Sequence, residues 1–146
     1  MRGHVSAVVL ATAVAVVACG HKNRPVAPEL VRPEAPEGLT AIGTPDGVRL
    51  GWLRPLRYSG GQRMNDLRGF VIERAMGAGS FAKVGRLELE DQTRFRKERH
   101  LEWTDKDVHP GERYLYRVTA ETLDGYRSAP AGPVAVQYGP PAETPR

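Results

Sequence analysis

The chain has 146 residues, with 21 Lys and Arg against 17 Asp and Glu, a formal net charge of +4, 16 Gly, 12 Pro and a single Cys. That length holds one domain with appendages, large enough to bury a core without covalent staples, and a lone Cys excludes an internal disulfide. The modest positive charge favours acidic surfaces as partners but selects no fold, and much of the Gly and Pro lies toward the two ends, where disorder is expected around an ordered middle.

Arg2 and His4 precede residues 5–17, an apolar and small-residue run interrupted only by Ser6 and Thr12. Spanning a bilayer takes roughly 20 apolar residues, so this shorter run reads as a secretory signal rather than a permanent membrane helix. It ends in Val16-Val17-Ala18-Cys19, and the small residue directly before Cys19 resembles the lipobox of bacterial lipoproteins. The resemblance implies diacylglycerol on the Cys19 sulfur, removal of residues 1–18 as signal peptide, and acylation of the new amino group, for example with palmitate. Two or three acyl chains hold a protein firmly where one holds it marginally. Gly20, not Asp, follows the cysteine, and by the same resemblance this directs the protein to the outer membrane rather than the inner, in a cell that has both. The alternatives are an ordinary signal peptide that leaves a free thiol, or a buried structural Cys.

Residues 19–35 carry Pro25, Pro28 and Pro33, with Pro36 just beyond, and few large apolar side chains. That composition is expected to form a semi-extended tether of up to roughly 50 Å at about 3.1 Å per residue. Residues 139–146, with Pro140 and Pro141, read likewise as a disordered tail.

Between these ends the pattern is of short strands. Residues 36–41 place Leu39 and Ala41 on one face behind an edge-type Pro36. Pro45-Asp46-Gly47 supplies a turn, after which Val48, Leu50 and Trp52 alternate inward against Arg49 and Gly51. A long loop follows, then a strand over 69–74 with Phe70 and Ile72 inward, the turn Gly77-Ala78-Gly79, and a strand over 81–84. Residues 101–105 alternate again around Trp103, and Pro110-Gly111 opens the run Tyr114, Tyr116, Val118, Ala120 facing inward against Leu115, Arg117 and Thr119. Asp124-Gly125 marks a last hairpin turn, and residues 133–136 form a short edge strand.

Val108-His-Pro-Gly-Glu-Arg-Tyr-Leu-Tyr-Arg-Val-Thr-Ala120 resembles strand F of a fibronectin type III domain. Pro36-Glu-Gly-Leu-Thr-Ala41 is similar to that family's strand A, and Val48-Arg-Leu-Gly-Trp52 with Pro55 to its strand B. The resemblance implies an all-β, seven-stranded Greek-key sandwich over residues 36–138, with Trp52 at the centre and a tyrosine corner in which the Tyr114 hydroxyl bonds back to the turn it has left. The core positions are Trp52, Phe70, Ile72, Trp103, Tyr114, Tyr116 and Val118. Over residues 86–100 the spacing exceeds the family's short loop, and strand limits there are not fixed by the pattern.

No Gly-x-Ser-x-Gly, His-Glu-x-x-His or phosphate-cradling glycine motif is present. His21, His100 and His109 share neither a face nor a metal-ligand spacing, and the carboxylates of Glu88–Asp91 and Asp105–Asp107 lack the ligand array of a calcium loop. We therefore expect no catalytic, metal or cofactor site and no nucleic-acid partner. The last hairpin loop, which in the resembled family can carry Arg-Gly-Asp, reads Leu123-Asp-Gly-Tyr-Arg127. In the implied topology three loops, 54–68, 86–100 and 122–128, gather at the pole where the tether enters, with ten basic against six acidic side chains. Arg94, Arg96, Lys97, Arg99, Tyr126 and Arg127 are the candidate binding surface there, set against the plainer reading of a solvated face. The expected function is a lipid-anchored, non-enzymatic cell-envelope protein that binds or spaces another envelope protein or a glycan. The alternatives are an accessory subunit of an envelope enzyme or secretion complex, or a passive spacer.

Overall fold

The computed structural model describes residues 25–90 and 99–139. The expected signal peptide over 1–18, Cys19, Arg94, Arg96, Lys97 and the tail from Pro140 lie outside them. Seven strands form two antiparallel sheets: β1 (Glu37–Thr44), β2 (Gly47–Leu53) and β5 (His100–Asp105) in the order β1-β2-β5, and β3 (Leu67–Met76), β4 (Ala82–Glu88), β6 (Arg113–Thr122) and β7 (Ala131–Gln137) in the order β4-β3-β6-β7. The chain changes sheet at β2–β3, β4–β5 and β5–β6, so the two sheets are closed on each other by Greek-key connections. This is the seven-stranded Greek-key sandwich that the resemblance implies.

The period of two in β2 and β6 decides where the core sits. Val48, Leu50 and Trp52 from one sheet, and Phe70, Ile72, Tyr114, Tyr116, Val118 and Ala120 from the other, are buried between the layers. Trp52 meets Phe70 edge-on, with ring centroids 5.4 Å apart. Trp103 is half-buried at the rim and lies over Gly85 of β4, where a Cβ would enter its ring. The missing side chain on one sheet is thus the space the indole of the other occupies. Proline in β7 follows from its place at a sheet edge, where position 133 needs no ladder donor.

The strands reach further than the sequence pattern marks. β3 runs from Leu67 to Met76 rather than over 69–74, and β4 from Ala82 to Glu88 rather than over 81–84, because Leu67 pairs with Thr122 and Gly69 with Glu88 beyond the clear alternation. At the turn before β6 the His109 amide donates to the Tyr114 hydroxyl at 2.9 Å, while the Tyr114 ring is buried. Tyr114→Phe should remove that bond and leave the amide without its acceptor, costing on the order of 1 kcal/mol in urea unfolding. An unchanged midpoint would show that water replaces the hydroxyl.

Candidate functional site

Antiparallel pairing of β1 with β2, and of β3 with β6, puts the start of β1, the β2–β3 and β6–β7 loops and the end of β4 at one pole. The β2–β3 loop is itself a small hairpin. Arg57 bridges to Arg63, the Tyr58 amide donates to the Gln62 carbonyl, and Gly61, at φ +83, closes the tip by donating to the Tyr58 carbonyl. The Tyr58 hydroxyl donates to Asp66 at 2.5 Å. Burial first, and then that bonded carboxylate, push the phenol up to about 12.

The segment before β1 lies along this hairpin. After a turn of 3-10 helix (Pro28–Leu30), Pro33 bridges to Tyr58, the Glu34 amide donates to the Arg57 carbonyl, the Ser59 amide to the Arg32 carbonyl, and the Gly60 amide to the Leu30 carbonyl. The Ser59 hydroxyl also bonds the Glu29 carbonyl. A Cβ on Gly60 would stand 2.9 Å from the Leu30 oxygen, so the absence of a side chain there admits the strap. The tether expected over 19–35 is therefore not free through its second half. Its prolines remove donors at 28 and 33, but between them the Glu29, Leu30 and Arg32 carbonyls accept from the hairpin, while the Leu30 and Val31 amides bond back within the 3-10 turn.

The arginines of this pole are largely neutralised. Glu121, buried at the end of β6, accepts from Arg86 at 2.6 Å and Arg127 at 2.7 Å, with Arg68 4.0 Å away, and Glu88 lies 3.2 Å from Arg86. Burial works to raise the Glu121 pKa, but the Arg86 and Arg127 guanidinium groups outweigh it and hold the carboxyl below its ordinary value. Arg99 reaches Glu37 at 3.9 Å and crowds Arg54, whose pKa burial and the neighbouring charge together lower. Tyr126 is exposed on the β6–β7 loop. Across the described residues fourteen basic side chains meet fourteen acidic ones. Within the described part of the three loops seven basic side chains meet four acidic ones, and that excess, with Arg32 of the strap, is offset by Glu29, Glu34, Glu37 and Glu121; Arg94, Arg96 and Lys97 lie outside the described residues.

At the opposite pole a polar cluster ties the sheets together. Asp105, at the end of β5, accepts from the Tyr116 hydroxyl at 2.8 Å and from Arg74 at 2.7 Å through one oxygen, and from the Asp107 amide at 3.0 Å through the other. Arg74 also bonds the Asp107 carbonyl and stacks 5.1 Å from the Tyr114 ring centroid. Burial, and then the Asp105 carboxylate, drive the Tyr116 pKa far up. Burial pulls the Arg74 pKa down, but Asp105 more than reverses it. Alternation alone marks Tyr116 as core; only the Asp beside Trp103 and Thr104 hints that its hydroxyl has a charged acceptor. A shallow open groove at this pole is lined by Gly43, Thr44, Pro45, Pro110, Gln137, Tyr138 and Gly139.

His100 starts β5 at the hairpin pole, whereas His109 follows β5 in the turn at the other end, so the two imidazoles cannot act on one substrate. Among the described residues no group of three His, Cys, Asp or Glu side chains is placed to hold a metal ion.

No protein-family model matches the sequence, and no curated protein matches it. Solved structures do. The chain is similar to the twitchin kinase region from C. elegans (Fn31-NL-kin-CRD-Ig26), at 22% identity and a TM-score of 0.53, over 74% of this chain and 17% of that one. It is also similar to the chicken CNTN1 FN1-FN3 domains, at 12% identity and a TM-score of 0.52, over 74% of this chain and 33% of that one. A Fn3-like protein from Clostridium thermocellum aligns at 21% identity with a TM-score of 0.48, over 77% of this chain and 98% of that one. The first two place the sandwich among fibronectin type III folds, and at such identities they speak for the fold alone.

Proposed function

We propose that the chain is a lipid-anchored, non-enzymatic protein of the bacterial cell envelope, whose sandwich binds or spaces another envelope component. One observation carries this reading: the only cysteine in 146 residues directly follows Ala18 at the end of an apolar run too short to span a bilayer. A thiol at that place has a use as an acylation site and no partner for a disulfide within the chain. The separation of His100 from His109, and the engagement of Asp105 and Glu121 in ion pairs, support a sandwich that recognises or spaces rather than catalyses. The partner is expected to be an envelope protein or a glycan.

Cells fed labelled palmitate should incorporate it into the wild-type protein. Cys19→Ser should take up no label and migrate as the longer precursor. Label on the variant, or none on the wild type, would remove the anchor from the account.

A further inference from the structure

We infer that the pole formed by the strap and the β2–β3 hairpin is a lipid-facing surface that seats on anionic headgroups. The inference rests on the proposed anchor at Cys19 and adds to it the orientation of the sandwich. Its first ground is chain length. Because the strap is bonded to the hairpin from Glu29 and Leu30 to Glu34, the length of chain ahead of it is limited: Glu29 comes ten residues after Cys19, a covalent reach of at most about 35 Å. An anchored sandwich is thereby held with this pole toward the bilayer instead of standing off on a long stalk.

The second ground is what that pole displays. Seven large hydrophobic side chains are exposed among the described residues, and five of them, Val26, Leu30, Leu56, Leu123 and Tyr126, belong to the strap, the hairpin and the β6–β7 loop. Val26 is 55% exposed, Leu30 48% and Leu56 42%. Only Ile42 and Met76 lie elsewhere. Beside these apolar groups stand Arg32, Arg57 and Arg63, which form no ion pair with a described carboxylate; Arg57 bonds only the Gly61 carbonyl, at 2.8 Å. Glu29 and Glu34 on the strap temper this charge, so the attraction is local, through guanidinium–phosphate hydrogen bonds and apolar insertion at the interface, and not a matter of net charge.

The acylated protein is inserted into vesicles of phosphatidylglycerol and phosphatidylethanolamine whose acyl chains carry bromine near the headgroups. The probe is Leu56→Trp, with Met76→Trp at the far pole as reference and the parent's own buried Trp52 and half-buried Trp103 as baseline. Quenching above baseline is expected at position 56 and not at 76. Changing Arg32, Arg57 and Arg63 to Ser should weaken docking about fivefold per residue, the factor that ~1 kcal/mol per basic group gives, and raised salt should act the same way. Equal quenching at both positions, or none at 56, overturns the inference; a pole that stays dark to bromine belongs to a protein partner instead. The chain from residue 19 with Cys19→Ser retains every described residue, and its binding to anionic over neutral vesicles decides the matter even if Cys19 proves to carry no lipid.

Discussion

Trp52→Ala is expected to lower the unfolding free energy by about 3–5 kcal/mol, the largest single effect of any core truncation here. The indole is fully buried, packs edge-on against Phe70 and sits near the end of β2 between both sheets. Removing it deletes contacts to both layers at once, and a rigid sandwich cannot collapse into the space. Against a typical domain stability of about 5–15 kcal/mol, that is a large fraction. Trp52→Phe should cost much less. Its ring keeps the Phe70 contact and discards an indole N–H that finds no acceptor among the described residues, so part of the lost burial is offset. Equilibrium denaturation of both variants checks this. A nearly neutral Trp52→Ala would put the indole on the surface and shift the β2 register by one residue, turning every side chain of that strand to the other face.

Asp105→Ala should be the second most damaging change, at about 3–5 kcal/mol, because it strands a largely buried Arg74 guanidinium and a buried Tyr116 hydroxyl together. The carboxylate accepts from β3, from β6 and from its own turn, so it closes one end of the sandwich as a hydrogen-bonded cross-tie between sheets. Tyr116→Phe alone should cost only about 1 kcal/mol, since Arg74 and the Asp107 amide still satisfy the carboxylate. The two changes should then be non-additive: once Asp105 is gone, removing the Tyr116 hydroxyl takes away an already orphaned group and costs little or nothing more. A double-mutant cycle that closes additively would mean that the three side chains do not act as a unit.

The two halves of the account were unequally legible in the sequence. Strands β2 and β6 announce themselves because each buries one face, so Val48, Leu50 and Trp52, and Tyr114, Tyr116 and Val118, recur with the period of the pleat. Charged residues obey no such period. Asp105 reads as the polar end of a strand and Glu121 as a residue just short of a loop, yet both are buried, since each is covered by arginines that come from distant strands. Among the described residues the acids that balance the hairpin pole lie on β6, on the strap and at the start of β1, and not in its loops, so the loop sequences alone do not show them. The strap itself was hidden by composition. Proline-rich sequence suggests an extended tether, but an extended segment is also what can pair with an open hairpin edge, and only the fold brings Tyr58 and Ser59 beside Pro33 and Arg32. Cys19 was legible as chemistry, by its place after the apolar run, and lies outside the described residues.

The central claim, a sandwich tied to the envelope through its only cysteine, is tested most directly by the intact mass of the mature protein purified from its own membranes. The account predicts a chain beginning at Cys19 and heavier than its amino acids by a thioether-linked diacylglycerol, with a further acyl chain where the amino group is also modified. A mature chain that begins at any other residue, or that carries Cys19 as an unmodified thiol, would contradict it.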